Sequence, residues 1–485
     1  MKTTLPALMR PLVNGVRHFF REEDLPPPTD KITASRVLRV AWPLILASSG
    51  LALRLFADRI MLARYSSDSI AAALPAGVMC FVGMSLFIGT AGYINTFVAQ
   101  YTGAGRSNRV GLVVWQGLYI ALFGGVAMIV VSWFAPMIFA WAGHGPKIQV
   151  EQITYFKVLS RFAWSGIALV TLSGFWSGRG HTRTVMAVEL SCATLNVCLN
   201  SIFIFGKWGF PELGIFGAGL ATGLSNCAGF TVMLFLFLRP RCRINFGTWP
   251  KRTLDIGLLS RILRFGLPNG IQFMLDMLAF NLFVIFMGRL GDTELEAAGM
   301  ALGLHSLAFL PIVGMGMAVS VLVGQSIGCG QIESAKTSVK YAITLALLYN
   351  MLIGLCFWFC ADTILSVFTR SGDTLQPETL AMAKLALRYI TVFLAFDSVY
   401  IIYSHAIKGA GDTRFAMLAG ILISWGALVI PSWFAARFSG SVQMMWKILV
   451  IHVMLAGVIF FWRYKRGIWE KMCVIDTPAK VVPPQ

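Results

Sequence analysis

The chain predicts an all-α polytopic membrane protein, with twelve transmembrane helices in two six-helix lobes related by a pseudo-two-fold axis along the membrane normal. Two observations predict it. Hydrophobic residues make up 57% of the 485 residues and charged residues only 13%, about half of the quarter usual in a soluble domain. Residues 38–105 also match residues 263–330 in register, without a gap. Leu38, Arg39 and Pro43 fall on Leu263, Arg264 and Pro268, and Arg64 falls on Arg289. Ala72 and Ala73 fall on Ala297 and Ala298, Gly89 on Gly314, Gln100 on Gln325, and Gly103 and Gly105 on Gly328 and Gly330. A second block sets residues 178–186 (GRGHTRTVM) against residues 409–417 (GAGDTRFAM). Apolar segments match one another by chance, but Pro, Arg, Gln and paired Gly at one spacing do not.

Each span needs about 20 apolar residues. Stretches of that kind lie at 38–62, 72–99, 111–141, 155–176, 185–206 and 213–238 in the first copy. In the second they lie at 262–287, 297–326, 339–361, 381–407, 415–436 and 444–462. An even number of spans per copy brings the second copy in from the same side as the first, which places the axis along the normal. The expected organisation is a leader over 1–36, an N-lobe over 37–238, a linker over 239–260, a C-lobe over 261–466 and a tail over 467–485. The leader lacks the continuous apolar core of a signal peptide. Residues 6–20 fit either a short basic amphipathic helix on the membrane surface or a solvated tail, ended by Pro26, Pro27 and Pro28.

The formal net charge of +18 does not point to nucleic acid, because its distribution is topological. Roughly twenty Lys and Arg fall in one set of loops and roughly eight in the other. The rich set includes Arg106, Arg109, Arg179, Arg183, the run from Arg239 to Arg264, Lys336, Lys340, Lys408, Arg414 and the run from Arg463 to Lys480. The poor set carries acids such as Asp68, Glu151, Glu212, Asp292, Glu294, Glu296, Asp373 and Glu378. Both termini and the linker are thus expected on the cytoplasmic side of a cell membrane. Nine cysteines without a CxxC pair read as packing residues, not as a disulfide or metal framework. No phosphate-binding Walker loop and no HExxH motif occurs, so neither direct use of ATP nor zinc hydrolysis is expected.

Four acids lie inside predicted spans, where each costs several kcal/mol unless paired, hydrated or protonated. Asp276 lies about 21 Å from the start of its span at Ile262, and Asp397 about 17 Å from the end of its span at Lys408. Both fall near mid-membrane in one lobe. Two carboxylates brought close cannot both stay charged without a cation, which is the physics of a proton or Na⁺ site. Gln272, one turn before Asp276, can supply a neutral oxygen. Asp58 stands four residues after Arg54, where an ion pair is expected to compete with any coupling role. Asn196 and Asn200 share a helix face with Glu189 and read as cavity lining. Glu189 lies near the helix end, where it can snorkel to the interface. His305, His405 and His452 read as packing residues. Asp58 corresponds to Phe283 and Asp276 to Leu51 in the other copy, so the acids are not duplicated and the lobes are expected to do different work.

With these residues in place, the chain resembles the multidrug and toxic compound extrusion (MATE) family over about residues 36–465. The first copy carries the resemblance in Pro43 with Asp58, in residues 61–73 (MLARYSSDSIAAA), in Gln100, Gly103 and Gly105, and in residues 178–183 (GRGHTR). Residues 196–206 (NVCLNSIFIFG) and 211–222 (PELGIFGAGLAT) extend it. The second copy adds Gly266, Pro268 and Asp276, then residues 287–291 (MGRLG), then Asp397 with residues 408–414 (KGAGDTR). The resemblance implies a V-shaped antiporter that expels organic, usually cationic, compounds in exchange for Na⁺ or H⁺. It implies that Asp276 and Asp397 form a C-lobe cation site, with Phe393 one turn before Asp397. It also implies an N-lobe site at Asp58 supported by Asn196, Asn200 and Thr222. In this chain Asp stands where the family often has Glu at 276, Asn200 stands where full N-lobe Na⁺ sites have Asp, and Arg54 is atypical beside Asp58; these departures favour the C-lobe.

The expected coupling-ion residues are therefore Asp276, Asp397, Gln272 and Asp58, with Na⁺ possible at Asp276 and Asp397. Asn196, Asn200, Phe393 and Thr222 are the expected cavity lining. No cofactor beyond the coupling ion is expected. The expected partners are small organic cations and the lipid bilayer, with no nucleic acid and a monomeric state. The alternative is a lipid-linked oligosaccharide flippase, which needs Arg in its cavity to hold pyrophosphate. A membrane-embedded enzyme lacks any nucleophile–base or metal constellation.

Overall fold

A computed structural model describes residues 32–141, 145–250, 252–366 and 377–476, and the side chains within them except those at 51, 292, 295 and 439. The possible surface helix at 6–20 and the acid Asp373 lie outside the described residues. Twelve helices are long and apolar enough to cross a membrane, and among the described residues there is no strand. The first six are α1 (Ala34–Tyr65), α2 (Ser67–Gly103), α3 (Ser107–Trp133), α4 (Pro146–Gly178), α5 (Thr182–Phe203) and α6 (Gly214–Phe237). The second six are α7 (Ile256–Gly288), α8 (Asp292–Gly328), α9 (Ile332–Phe359), α10 (Pro377–Ala410), α11 (Thr413–Phe438) and α12 (Val442–Lys465).

Local chemistry sets the ends. Thr33 caps α1 by accepting from the Arg36 amide at 3.4 Å, Ser66 caps α2 by accepting from Asp68 N at 3.2 Å, and Asp255 caps α7 by accepting from Leu258 N at 3.0 Å. Each accepts an N–H that the first helical turn leaves unpaired. The prolines Pro43, Pro75, Pro268 and Pro311 lie within helices. They are tolerated there because neighbouring helices and side chains take up the freed carbonyls. The linker is not featureless: a short helix, Pro240–Phe246, occupies its first half, and α7 begins at Ile256, inside the range assigned to the linker by sequence.

The repeat becomes a set of reciprocal contacts. A Cβ on Gly103 would lie 2.0 Å from Gln325 O, and a Cβ on Gly328 would lie 2.2 Å from Gln100 O. Each copy's glycine receives the other copy's glutamine carbonyl. Further along, a Cβ on Gly89 would meet Gly270 Cα at 2.7 Å, and one on Gly314 would meet Ile45 N at 2.6 Å. Residues 45 and 270 are equivalent in the repeat, so this crossing is two-fold as well. The glutamine side chains repeat the pattern. Gln100 Nε2 donates to Gly409 O at 3.0 Å, and Gln325 Nε2 donates to Gly178 O at 2.9 Å. These glycines matter because two helix backbones can approach this closely only where no side chain intervenes.

The contacts close one end of the molecule, the end that carries the linker. There the chain after α12 forms a strap. Trp469 is buried and stacks on Tyr464 at 5.1 Å. Val474 N donates to Gln100 Oε1 at 2.9 Å, Arg106 donates to Asp476 O at 2.8 Å, and Arg261 pairs with the Asp476 carboxylate at 2.5 Å. The strap thereby ties α2 of the N-lobe to α7 of the C-lobe. Among the described residues no disulfide joins any of the nine cysteines.

Candidate functional site

In the N-lobe, α1, α5 and α6 bring one acid into a ring of neutral partners. Asp58 Oδ1 accepts from Asn200 Nδ2, and its Oδ2 accepts from Thr222 Oγ1 at 3.3 Å. Asn200 Nδ2 also reaches Asn196 Oδ1 at 3.2 Å, and Asn196 Nδ2 donates to Thr222 Oγ1 at 3.2 Å. Asp58 is 7% exposed, and Asn196 and Asn200 are fully buried. Asn196 and Asn200 therefore form a closed cluster inside the lobe rather than the wall of a cavity. Their spacing on one face of α5 was a sound signal, but that face meets Asp58.

Arg54 does not pair with Asp58. Its guanidinium donates to Glu189 Oε2 and to Asn226 Oδ1, each at 2.8 Å. The Arg54–Glu189 pair is nearly enclosed, with side-chain exposures of 9% and 15%. Glu189 therefore does not snorkel to an interface; it is the ionic partner of Arg54. Sequence spacing favoured the near acid, four residues along the same helix, whereas packing of α1 against α5 and α6 supplied a stronger one.

In the C-lobe, α7, α10 and α11 converge. Ser424 Oγ donates to Asp276 Oδ1 at 2.7 Å. Gln272 Nε2 donates to the Tyr400 hydroxyl at 3.1 Å, so this glutamine presents its nitrogen to protein and leaves its Oε1 buried without a partner. Tyr400 lies against Asp276 and within electrostatic reach of Asp397. Asp397 is 5% exposed and its Oδ2 has no hydrogen-bond partner. Among the described contacts, no hydrogen bond joins Asp276 to Asp397; Tyr400 stands between their surroundings. Next to Asp397, Ser398 accepts from Asn350. Phe393 is 7% exposed and packs edge-on against His305 at 5.0 Å. It belongs to the lobe's core, not to an open lining.

Tyr400, Ser424 and Asn226 are members of these clusters that sequence reasoning missed. Tyr400 had a usable signal, since it lies three residues past Asp397 on the same face of α10. Ser424 opens a π-helical turn, Ser424–Val429, a widening often found at functional sites. Nothing local in the sequence marks that turn. Among the described residues no group of three or more His, Cys, Asp or Glu is placed to hold a metal. Any Na⁺ in the C-lobe would draw on Asp276, Asp397, Gln272, Tyr400 and Ser424. These are oxygen donors, the donor type a hard cation takes.

Comparison with known proteins assigns the family. The MatE family model matches residues 43–202 and 268–433, one segment in each lobe. The chain belongs to the MatE family. Relatives include the probable multidrug resistance protein NorM of Pseudomonas aeruginosa, 29% identical over 405 residues and covering 80% of each chain. The protein of the same name from Pseudomonas syringae pv. tomato is 26% identical over 433 residues, covering 88% of this chain and 94% of the relative. Among solved structures, an outward-facing multidrug resistance MATE family transporter of the MOP superfamily superposes with a TM-score of 0.80 at 22% identity, over 90% of this chain and 96% of the other. A MOP superfamily transporter from Pyrococcus furiosus, described as having a binding pocket of reversed polarity, gives the same score and identity. The likeness to these structures carries the two-lobed MATE fold.

Proposed function

We propose that the protein is a secondary antiporter that exports lipophilic organic cations in exchange for Na⁺ or H⁺ by alternating access, with the coupling ion bound in the C-lobe. The observation that carries this reading is the two unpartnered buried acceptors of the C-lobe, Asp397 Oδ2 and Gln272 Oε1, with Tyr400 bonded to Gln272 and within electrostatic reach of Asp397. Buried acceptors without donors are costly, and a proton, a cation or its water removes that cost. The relatives named as multidrug resistance proteins support an organic substrate. If the linker end faces the cytoplasm, the closed crossing at Gly103 and Gly328 corresponds to an outward-open state. The inward ion gradient is a sufficient drive, since one charge crossing 100 mV is worth about 2.3 kcal/mol.

The flippase alternative receives no support from the arginine it needs. Arg54 is committed to Glu189 and Asn226 and is 7% exposed, so it is not offered to a pyrophosphate.

The test is efflux of a fluorescent cation such as ethidium from energised vesicles, with Na⁺ and ΔpH imposed separately. Asp276→Asn is expected to abolish coupled efflux while the protein still reaches the membrane. Normal efflux by that variant sinks the assignment. A response to Na⁺ at clamped pH makes the C-lobe a metal site, and a response to ΔpH alone makes it a proton site.

A further inference from the structure

We propose that the interlobe linker is a binding site for the phosphate headgroup of an anionic phospholipid, held between Arg243 and Arg252 on the platform of Trp249. The site stands apart from the transport reading and needs no assignment of leaflet.

The arginines set up the problem that the lipid solves. Arg243 and Arg252 both lie over the Trp249 ring, at 5.0 Å and 4.3 Å from its centroid. Two like charges are thus held against one indole. Arg239, over Phe235 at 5.7 Å, and the exposed Arg241 add to the same surface. Among the described residues none of these four arginines pairs with a carboxylate. The one acid between 239 and 255 is Asp255, and its carboxylate is occupied in capping α7. Stacking on Trp249 is favourable for each guanidinium, and an anion that reached both would offset the repulsion between the two like charges. Arginine's planar fork suits a phosphate in that place.

The geometry is fixed rather than accidental. Trp115 Nε1 donates to Thr248 O at 2.6 Å, Gln116 Nε2 to Thr253 O at 2.9 Å, and the Tyr119 hydroxyl to Arg252 O at 2.8 Å. A Cβ on Gly111 would meet Phe246 O at 2.5 Å, so the short helix is seated directly on the α3 backbone. Arg243 Nε donates to Leu238 O at 2.6 Å, which orients its guanidinium. The linker is therefore pinned to α3 along its length.

Exposed apolar side chains identify the occupant as a lipid. Ile244 is 82% exposed, Ile256 74%, Phe235 68% and Leu254 57%. These flank the arginines between the ends of two spanning helices. Basic residues interleaved with large apolar ones are the pattern of an element lying in the headgroup layer, and each added cation there strengthens attraction to anionic lipid.

The experiment is native mass spectrometry of the full-length protein released from nanodiscs of equal phosphatidylglycerol and phosphatidylcholine. The wild type is expected to retain phosphatidylglycerol preferentially. Arg243→Gln with Arg252→Gln is expected to lower that preference about tenfold or more, while Lys340→Gln, an exposed cation elsewhere, leaves it unchanged. The single change Arg252→Gln is expected to give an intermediate value, which keeps the series informative if the double variant folds poorly. Equal retention of both lipids by the wild type, or an unchanged preference in a folded double variant, overturns the proposal. A last arm adds inorganic phosphate to the detergent-solubilised protein. If phosphate alone stabilises the fold against heat as much as short-chain phosphatidylglycerol does, the site takes a free anion and the lipid assignment is wrong.

Discussion

The two lobes share one scaffold and solve the problem of a buried acid in opposite ways. In the N-lobe both oxygens of Asp58 accept hydrogen bonds, and the charge one turn away on Arg54 is spent on Glu189. In the C-lobe Asp397 keeps an oxygen without a donor, and Gln272, bonded to Tyr400, keeps its amide oxygen in the same condition. The first helix of each copy supplies an acid and the fifth supplies partners to it: α1 with α5 for Asp58, and α7 with α11 for Asp276. The third contributor differs, being α6 in the N-lobe and α10 in the C-lobe. A duplicated backbone thus holds one acid whose two oxygens are both paired and one that keeps an oxygen open, while Asn200 Oδ1 in the N-lobe cluster also lacks a donor. Under the proposed function, the open carboxylate is the one that an ion would partner.

The largest expected contrast is in transport. Asp397→Asn is expected to lower coupled efflux by about a hundredfold, while Asp58→Asn, which keeps one of the two accepted hydrogen bonds, is expected to lower it less than about fivefold. Equal losses in a vesicle efflux assay would erase the distinction between the lobes. Next comes stability. Arg54→Ala leaves Glu189 buried and unpaired, at a cost of about 3–5 kcal/mol, and the double change Arg54→Leu with Glu189→Leu is expected to restore most of it. Thermal unfolding in detergent checks both, and an additive double variant would show that the pair is not coupled. Gly103→Ala and Gly328→Ala should each cost about 1–3 kcal/mol through backbone displacement. The two losses should agree with each other, since the contacts are reciprocal; unequal losses would break the two-fold description of the crossing.

The smallest effect concerns Asp476, whose pairing with Arg261 holds its carboxyl below the usual carboxylate range. A depressed folded value adds stability above the unfolded carboxylate pKa and loses it as pH falls through the folded value. The pair is exposed, so the contribution is a few tenths of a kcal/mol. Asp476→Asn is expected to flatten that shallow acid limb of a thermal-stability profile without moving the neutral plateau.

Much of the fold was legible because repetition carries three-dimensional information. Gln100, Gly103, Gln325 and Gly328 were singled out by register alone, and they proved to be partners of one another across the axis. The membrane acids were legible from cost, since a charge in an apolar run needs a reason. Their partners were not. Arg54 has one acid four residues away and another 135 residues away, and nothing local says that the remote one lies closer to its guanidinium. The ring partner of Phe393 was illegible for a similar reason. The position of Phe393 on α10 is fixed by sequence, but the ring it packs on belongs to α8. Ser424 depends on a π-helical turn, a departure from regular spacing that periodicity cannot see.

The strap after α12 bears on how the molecule divides its time. If the lobes part at the linker end, as alternating access would require, Val474 must leave Gln100 and Asp476 must leave Arg106. Under the proposed cycle, those contacts add a free-energy term to opening this end before any ion or substrate arrives. A difference of about 1.4 kcal/mol already sets a tenfold ratio of populations. Under that cycle the last few residues of the described chain, remote in sequence from either acid, would weight which face the empty molecule shows at rest.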